Sequence, residues 1–170
     1  MRMTISPMRP KKIPASTLKH PAALLACGFG TGLAPFAPGT FGTLVGLPIY
    51  GFMQYLTWPV YITLTILLFI FGVWICEITS KKLQVHDHPG IVWDEVVGYL
   101  VTMTLAPVGW FWWLCGFGLF RLFDIWKPWP IRLLDKHVKG GFGIMVDDVL
   151  AGVYAAACLQ LIYYGYISVQ

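Results

Sequence analysis

The placement of charge is what most constrains this chain. No Asp, Glu, Lys or Arg occurs between Lys19 and Glu77, between Glu95 and Arg121, or after Asp148. All the acids (Glu77, Asp87, Asp94, Glu95, Asp124, Asp135, Asp147 and Asp148) therefore fall in two short polar windows and the helix ends beside them. Only 12% of residues are charged and the mean hydropathy is +0.67. A water-soluble domain carries about a quarter charged residues, so this is the composition of an integral membrane protein.

The net charge of +4 is split among three short basic segments rather than drawn into a stripe, which argues against nucleic acid as a partner. Cys27, Cys76, Cys115 and Cys158 lack metal or disulfide spacing and read as small apolar packing residues. Residues 1–20 carry Arg2, Arg9, Lys11, Lys12 and Lys19 among prolines, the pattern of a basic cytoplasmic tail. Residues 21–170 then form a single membrane domain.

The stretch Gly28–Thr43 holds too many glycines and prolines for a regular span and is expected to be a re-entrant or interfacial loop. Such a loop must bury its free backbone groups in protein or against a polar site. Residues 42–57 and 59–76 read as two helices joined at Thr57-Trp58-Pro59. Between 96 and 126, Pro107-Val108-Gly109 marks a turn, and charge chooses a hairpin over one long crossing. A hairpin keeps both lysine-bearing windows on one basic face, as the positive-inside rule requires. The expected architecture is all-α, a polytopic bundle of about five short helices. Its C-terminus lies outside and its acids gather at the cytoplasmic face.

Three clusters would meet at that face: Asp94-Glu95, Arg121 with Asp124 and Lys127, and Gly140–Asp148. Converging carboxylates repel unless a cation joins them, and oxygen donors without cysteine favour Mg²⁺ over zinc. Arg121, Lys127 and Arg132 add the positive charge a phosphate needs. The glycines at 140, 141 and 143 are expected to form a turn leading into a helix N-terminus that favours an anion. Glu77 and Asp135 read as surface acids. Cys115 and Arg121 have cysteine-phosphatase spacing, but their intervening backbone is expected to be helical, which removes the free N–H groups that chemistry needs.

Four ordered blocks then resemble the bacterial phosphatidylglycerophosphatase A family. They are Gly28–Pro35 followed by Pro38-Gly39-Thr40; Val85-His86-Asp87-His88 followed by Ile91–Gly98; Phe120–Arg132; and Gly140–Gly152. The resemblance implies an Mg²⁺-dependent enzyme of the bacterial inner membrane that converts phosphatidylglycerol phosphate to phosphatidylglycerol and phosphate. It implies catalytic acids at Asp94, Glu95, Asp124, Asp147 and Asp148, with metal ligands drawn from among them. Arg121, Lys127 and Arg132 would hold phosphate, and Gly39 and Thr40 would line the headgroup site. Adjacent helical residues lie ~100° apart, so Asp147 and Asp148 cannot point the same way. Asp148 shares a face with Gly152 and Ala155 and is expected at the bundle centre with the metal, Asp147 nearer the rim. Asp94, Glu95, Asp124 and Asp148 are accordingly the favoured ligands. The rival reading, an ion or proton pathway, would string carboxylates along the membrane depth. The sequence leaves the oligomeric state open.

Overall fold

A computed structural model of the chain describes residues 13–169. The basic side chains at Arg2, Arg9, Lys11 and Lys12 lie outside the described residues. Among those described, the regular structure is entirely helical. A 3₁₀ turn at Ala15–Lys19 leads into α1 (Pro21–Ala26), and a second 3₁₀ segment spans Gly28–Leu33. Then come α2 (Pro38–Met53), α3 (Trp58–Leu83), α4 (Trp93–Thr102), α5 (Trp110–Trp126), α6 (Ile131–His137) and α7 (Gly140–Ile167).

Of these, α3 and α7 are long and apolar enough to cross a bilayer. The other helices are shorter, α2 with 16 residues and α4 with 10. The fold is thus an all-helical bundle in which two helices meet the length of a regular span. The expected hairpin is present, because α4 and α5 are separate helices joined through the Pro107–Gly109 turn.

Three expectations need correcting. Pro38-Gly39-Thr40 is not part of a loop but the first turn of α2, since proline at the first helical position loses no hydrogen bond. The helix expected over 59–76 runs on to Leu83 and carries Glu77 with it. The glycine turn expected at 140–143 is confined to Gly140, whose φ of 77° is left-handed, and Gly141 and Gly143 are already helical. They lie in the first turn of α7, and Gly141 is needed because a β-carbon there would collide with the carbonyl of Val73 on α3.

The glycine-rich stretch before α2 does bury its backbone in protein. A β-carbon on Gly32 would strike the Gly90 carbonyl, and one on Gly42 would lie 2.5 Å from Val92 Cβ. Val92 N–H also donates to the Ala26 carbonyl at 2.8 Å. These contacts fix the segment that delivers Asp94 and Glu95 to the start of α4. Helices α4 and α7 cross closely: a β-carbon on Gly152 would lie 2.5 Å from the Gly98 carbonyl and 3.0 Å from Val101 Cβ. At the far end of α2 and α4, Tyr50 makes edge contacts with Tyr61, Tyr99 and Trp113. Tyr61 donates to the Leu100 carbonyl at 2.6 Å. That aromatic end carries no acid, and the carboxylates collect at the other.

Candidate functional site

At the acid end lies a cavity of about 250 Å³. Asp94 and Glu95 reach it from the first turn of α4, where the helix dipole favours negative charge. Asp147 and Asp148 reach it from the third turn of α7, and Arg121 and Asp124 from the last turns of α5. Lys127 follows at the end of that helix. Its left-handed backbone, φ 44°, halts α5 before Pro128 and turns the chain.

One carboxylate oxygen each from Asp94, Glu95 and Asp148 lies within 4.8 Å of the other two. All three residues are buried or nearly so, and Asp94 Oδ1, Glu95 Oε2 and Asp148 Oδ2 have no hydrogen-bond partner in the protein. Buried oxygens left without partners are costly. A set of hard oxygen donors with spare lone pairs is what a divalent cation takes up, so the residues present fit a metal ion. Asp124 lines the same cavity, but its Oδ2 is paired with Arg121 Nη1 at 2.5 Å and it stands outside the close set of three. Its place here is beside the guanidinium.

Asp147 faces the opposite cation. Its Oδ2 is 2.6 Å from Lys127 Nζ, and the same ammonium reaches Asp135 Oδ1 at 2.9 Å. Burial alone would lower the Lys127 pKa, but Asp147 and Asp135 raise it above the ordinary lysine value and keep the ammonium charged. Of the three Lys127 donors, one remains for another acceptor. Arg121 likewise keeps its buried Nε without a partner, and its Nη1 lies 3.9 Å from Glu95 Oε1.

Ala37, Pro38 and Gly39 close the cavity at the start of α2. A β-carbon on Gly39 would overlap Glu95 Oε1 and sit 3.0 Å from Arg121 Nη1, so any larger residue there displaces the acid or the guanidinium. Thr40 is half-buried in the same turn and is not part of the lining. The start of α2 therefore opens on the cavity alongside that of α4. The helix N-terminus expected to cradle an anion, that of α7, is already taken: Gly141 N–H donates to Glu77 Oε2 at 2.6 Å and Gly140 N–H to His86 Nε2 at 3.1 Å. Glu77, read as a surface acid, holds this helix start and is only partly exposed.

Arg132 is brought elsewhere. It is exposed on α6 and lines a separate groove, with Lys127 the residue common to both. Asp87, in a histidine-flanked loop that reads from the sequence as solvated, lines the cavity from before α4. Its position inside the Val85–His88 block was the available signal. Cys115 sits within the regular helix α5, so its spacing to Arg121 makes no phosphate loop. The carboxylates gather at one end of the bundle and do not line a path through it.

Comparison with known proteins identifies the family. The family model for Phosphatidylglycerophosphatase A matches residues 24–163. A phosphatidylglycerophosphatase A of Escherichia coli (strain K12) is 47% identical over 163 residues, covering 94% of each chain. One from Haemophilus influenzae is 45% identical over 151 residues, covering 87% of this chain and 92% of the relative. No solved structure matches the chain.

Proposed function

This chain belongs to the phosphatidylglycerophosphatase A family and is a phosphatase, and we propose that it hydrolyses phosphatidylglycerol phosphate to phosphatidylglycerol and phosphate with the help of Mg²⁺. The observation that carries the metal-dependent reading is the close set of Asp94, Glu95 and Asp148 with its unpartnered buried oxygens. Those three residues would hold the ion. When bound, Mg²⁺ supplies Lewis-acid polarisation of the phosphoryl oxygens.

The protein's own groups do the rest. The free donor on Lys127 and Nε of Arg121 bind phosphoryl oxygens, and Asp124 orients the guanidinium through its ion pair. The start of α2 adds the Gly39 N–H and the helix dipole to the same anion, since Pro38 has no N–H and those of Thr40 and Phe41 donate to the Ala37 carbonyl. Water attacks phosphorus in line with the glycerol oxygen. The P–O bond to glycerol breaks, and the departing oxygen takes up the proton that the attacking water gives up. Asp147 Oδ1, buried and without a partner, is the acceptor left for the water's proton. A hydroxylamine-sensitive phosphoenzyme would replace this direct attack by a phospho-aspartate route.

The setting is a bilayer, with the active site at the cytoplasmic face of a bacterial inner membrane. Two helices have the length to span it, and α3 turns Ile66, Leu67, Ile70 and Trp74 outward, a surface suited to lipid. The α4–α5 hairpin would enter as shorter, tilted helices and make the protein multi-pass. Lys81, Lys82, Lys136 and Lys139 sit at the acid end, which the positive-inside rule assigns to the cytoplasm. An ion pathway is not favoured, because the carboxylates do not run through the bundle depth.

The test is phosphate release from phosphatidylglycerol phosphate by the purified protein in detergent, with Mg²⁺ and after chelation. Release that needs the metal is expected. Absence of any release by the metal-supplied protein would refute the reading.

A further inference from the structure

The elbow between α5 and α6 carries a second concavity that the chemistry above does not use. It has a volume of about 650 Å³, within the range of about 300–1,000 Å³ usual for small-molecule sites. Trp126, Pro128, Trp129 and Leu133 supply its apolar walls, and Arg132 and Lys136 its cationic edge. Lys127 lines both this groove and the acid cavity, so the two are contiguous.

We propose that the groove binds the phosphodiester and adjoining acyl-glycerol of the same lipid whose terminal phosphate enters the acid cavity. This rests on reading that cavity as a phosphomonoester site. A lipid with two phosphates joined through one glycerol needs two anion sites a short span apart, one on each side of Lys127. The groove meets that need in charge: its lining contains Lys127, Arg132 and Lys136 and no carboxylate. Arg132 and Lys136 are four residues apart and share a face of α6. Neither has a carboxylate within ion-pair distance among the described residues, whereas Lys127 is held by two. Their charge is free for an external anion.

The walls fit the remainder of such a molecule. Trp126 and Trp129 are 65% and 78% exposed, and indoles of this kind settle at the level of lipid headgroups and glycerol. The groove is also held in shape before any ligand arrives. Ile131 is fully buried beneath α6, and Tyr154 on α7 donates to the Trp129 carbonyl at 3.3 Å. Metal and Arg121 would grip any lipid phosphomonoester alike. A diester site is what gives preference for a headgroup carrying both.

Short-chain phosphatidylglycerol separates the two sites, because it carries the diester and lacks the terminal phosphate. Its binding to the intact protein in detergent is measured by calorimetry, alongside inhibition of turnover by inorganic phosphate. The wild type is expected to bind the lipid and to be inhibited by it competitively. The double variant Arg132→Ala/Lys136→Ala should bind it about tenfold more weakly, the scale of losing charge-assisted hydrogen bonds. Inhibition by inorganic phosphate should stay close to wild type. Lys136→Glu, a surface change, should weaken the lipid in the same direction if the double variant proves unstable. Unchanged lipid binding in these variants would overturn the proposal, as would equal loss of lipid and phosphate, which would return Arg132 to the acid cavity. If the wild type binds the lipid through these residues yet releases no phosphate, the functional reading fails and the groove stands.

Discussion

A β-carbon on Gly98 of α4 would lie 2.9 Å from the main-chain carbonyl oxygen of Asp148 on α7 and 2.5 Å from the ring of Phe120 on α5. Glycine at 98 is therefore what allows three helices to meet beside the acid cluster. The distance between Asp148 and the Asp94–Glu95 pair is set by backbone contact and not by side-chain reach.

Gly98→Val should push α4 and α7 apart. The expected cost is about 1–3 kcal/mol of stability, read as a lower melting temperature in detergent, together with loss of metal-dependent phosphatase activity. A variant that melts and turns over like wild type would show that the crossing does not fix the acids.

Lys127→Met should be severe. It leaves Asp147, which is buried, without the ammonium 2.6 Å away. Removing one partner of a buried pair costs about 3–5 kcal/mol. Activity should fall with stability, and the double change Lys127→Met/Asp147→Asn should recover melting temperature without recovering activity. Recovery of both would move Lys127 out of phosphate binding.

Gly39→Ala places a methyl group between Glu95 and Arg121. The overlap falls on the two side chains of the site itself, which must shift to admit the methyl group. A fall of about tenfold in kcat/KM is expected with a small change in melting temperature, a loss of roughly 1.4 kcal/mol in transition-state stabilisation. Unchanged kinetics would place the substrate away from the start of α2.

Glu77→Ala removes the acceptor of the Gly141 N–H at the first turn of α7. An unsatisfied buried donor costs about 1–3 kcal/mol, so the melting temperature should drop measurably. A neutral result would show that water replaces the carboxylate at that helix start.

Much of this arrangement was legible in the sequence, for a definite reason. Charge is so costly in an apolar bundle that its gaps in sequence mark the helices and its clusters mark the site. That logic found the α4–α5 hairpin and brought Asp94, Glu95, Arg121, Asp124, Asp147 and Asp148 to one cavity. What local pattern did not reveal is what glycine was for. Gly140 does turn the chain, with a φ of 77°, but Gly141 belongs to α7 itself because it must pass the Val73 carbonyl of α3, a tertiary demand that overrides propensity. The short helix α6 was missed for the opposite reason. Seven residues between prolines and a glycine are too few to show a period, and without it Arg132 was expected beside Arg121. The same absence hid the role of Glu77, whose partner lies 64 residues away in sequence.

The central claim is that Asp94, Glu95 and Asp148 jointly hold the divalent ion the reaction needs. Asp148→Asn tests it most directly, by thermal melting of wild type and variant with and without Mg²⁺. Crowded carboxylates repel when no cation joins them, so without metal the variant should melt above wild type. Mg²⁺ should raise the wild-type melting temperature and leave that of the variant almost unchanged, because a ligand stabilises only the fold that binds it. Equal stabilisation of both proteins by Mg²⁺, or none of the wild type, would contradict the account.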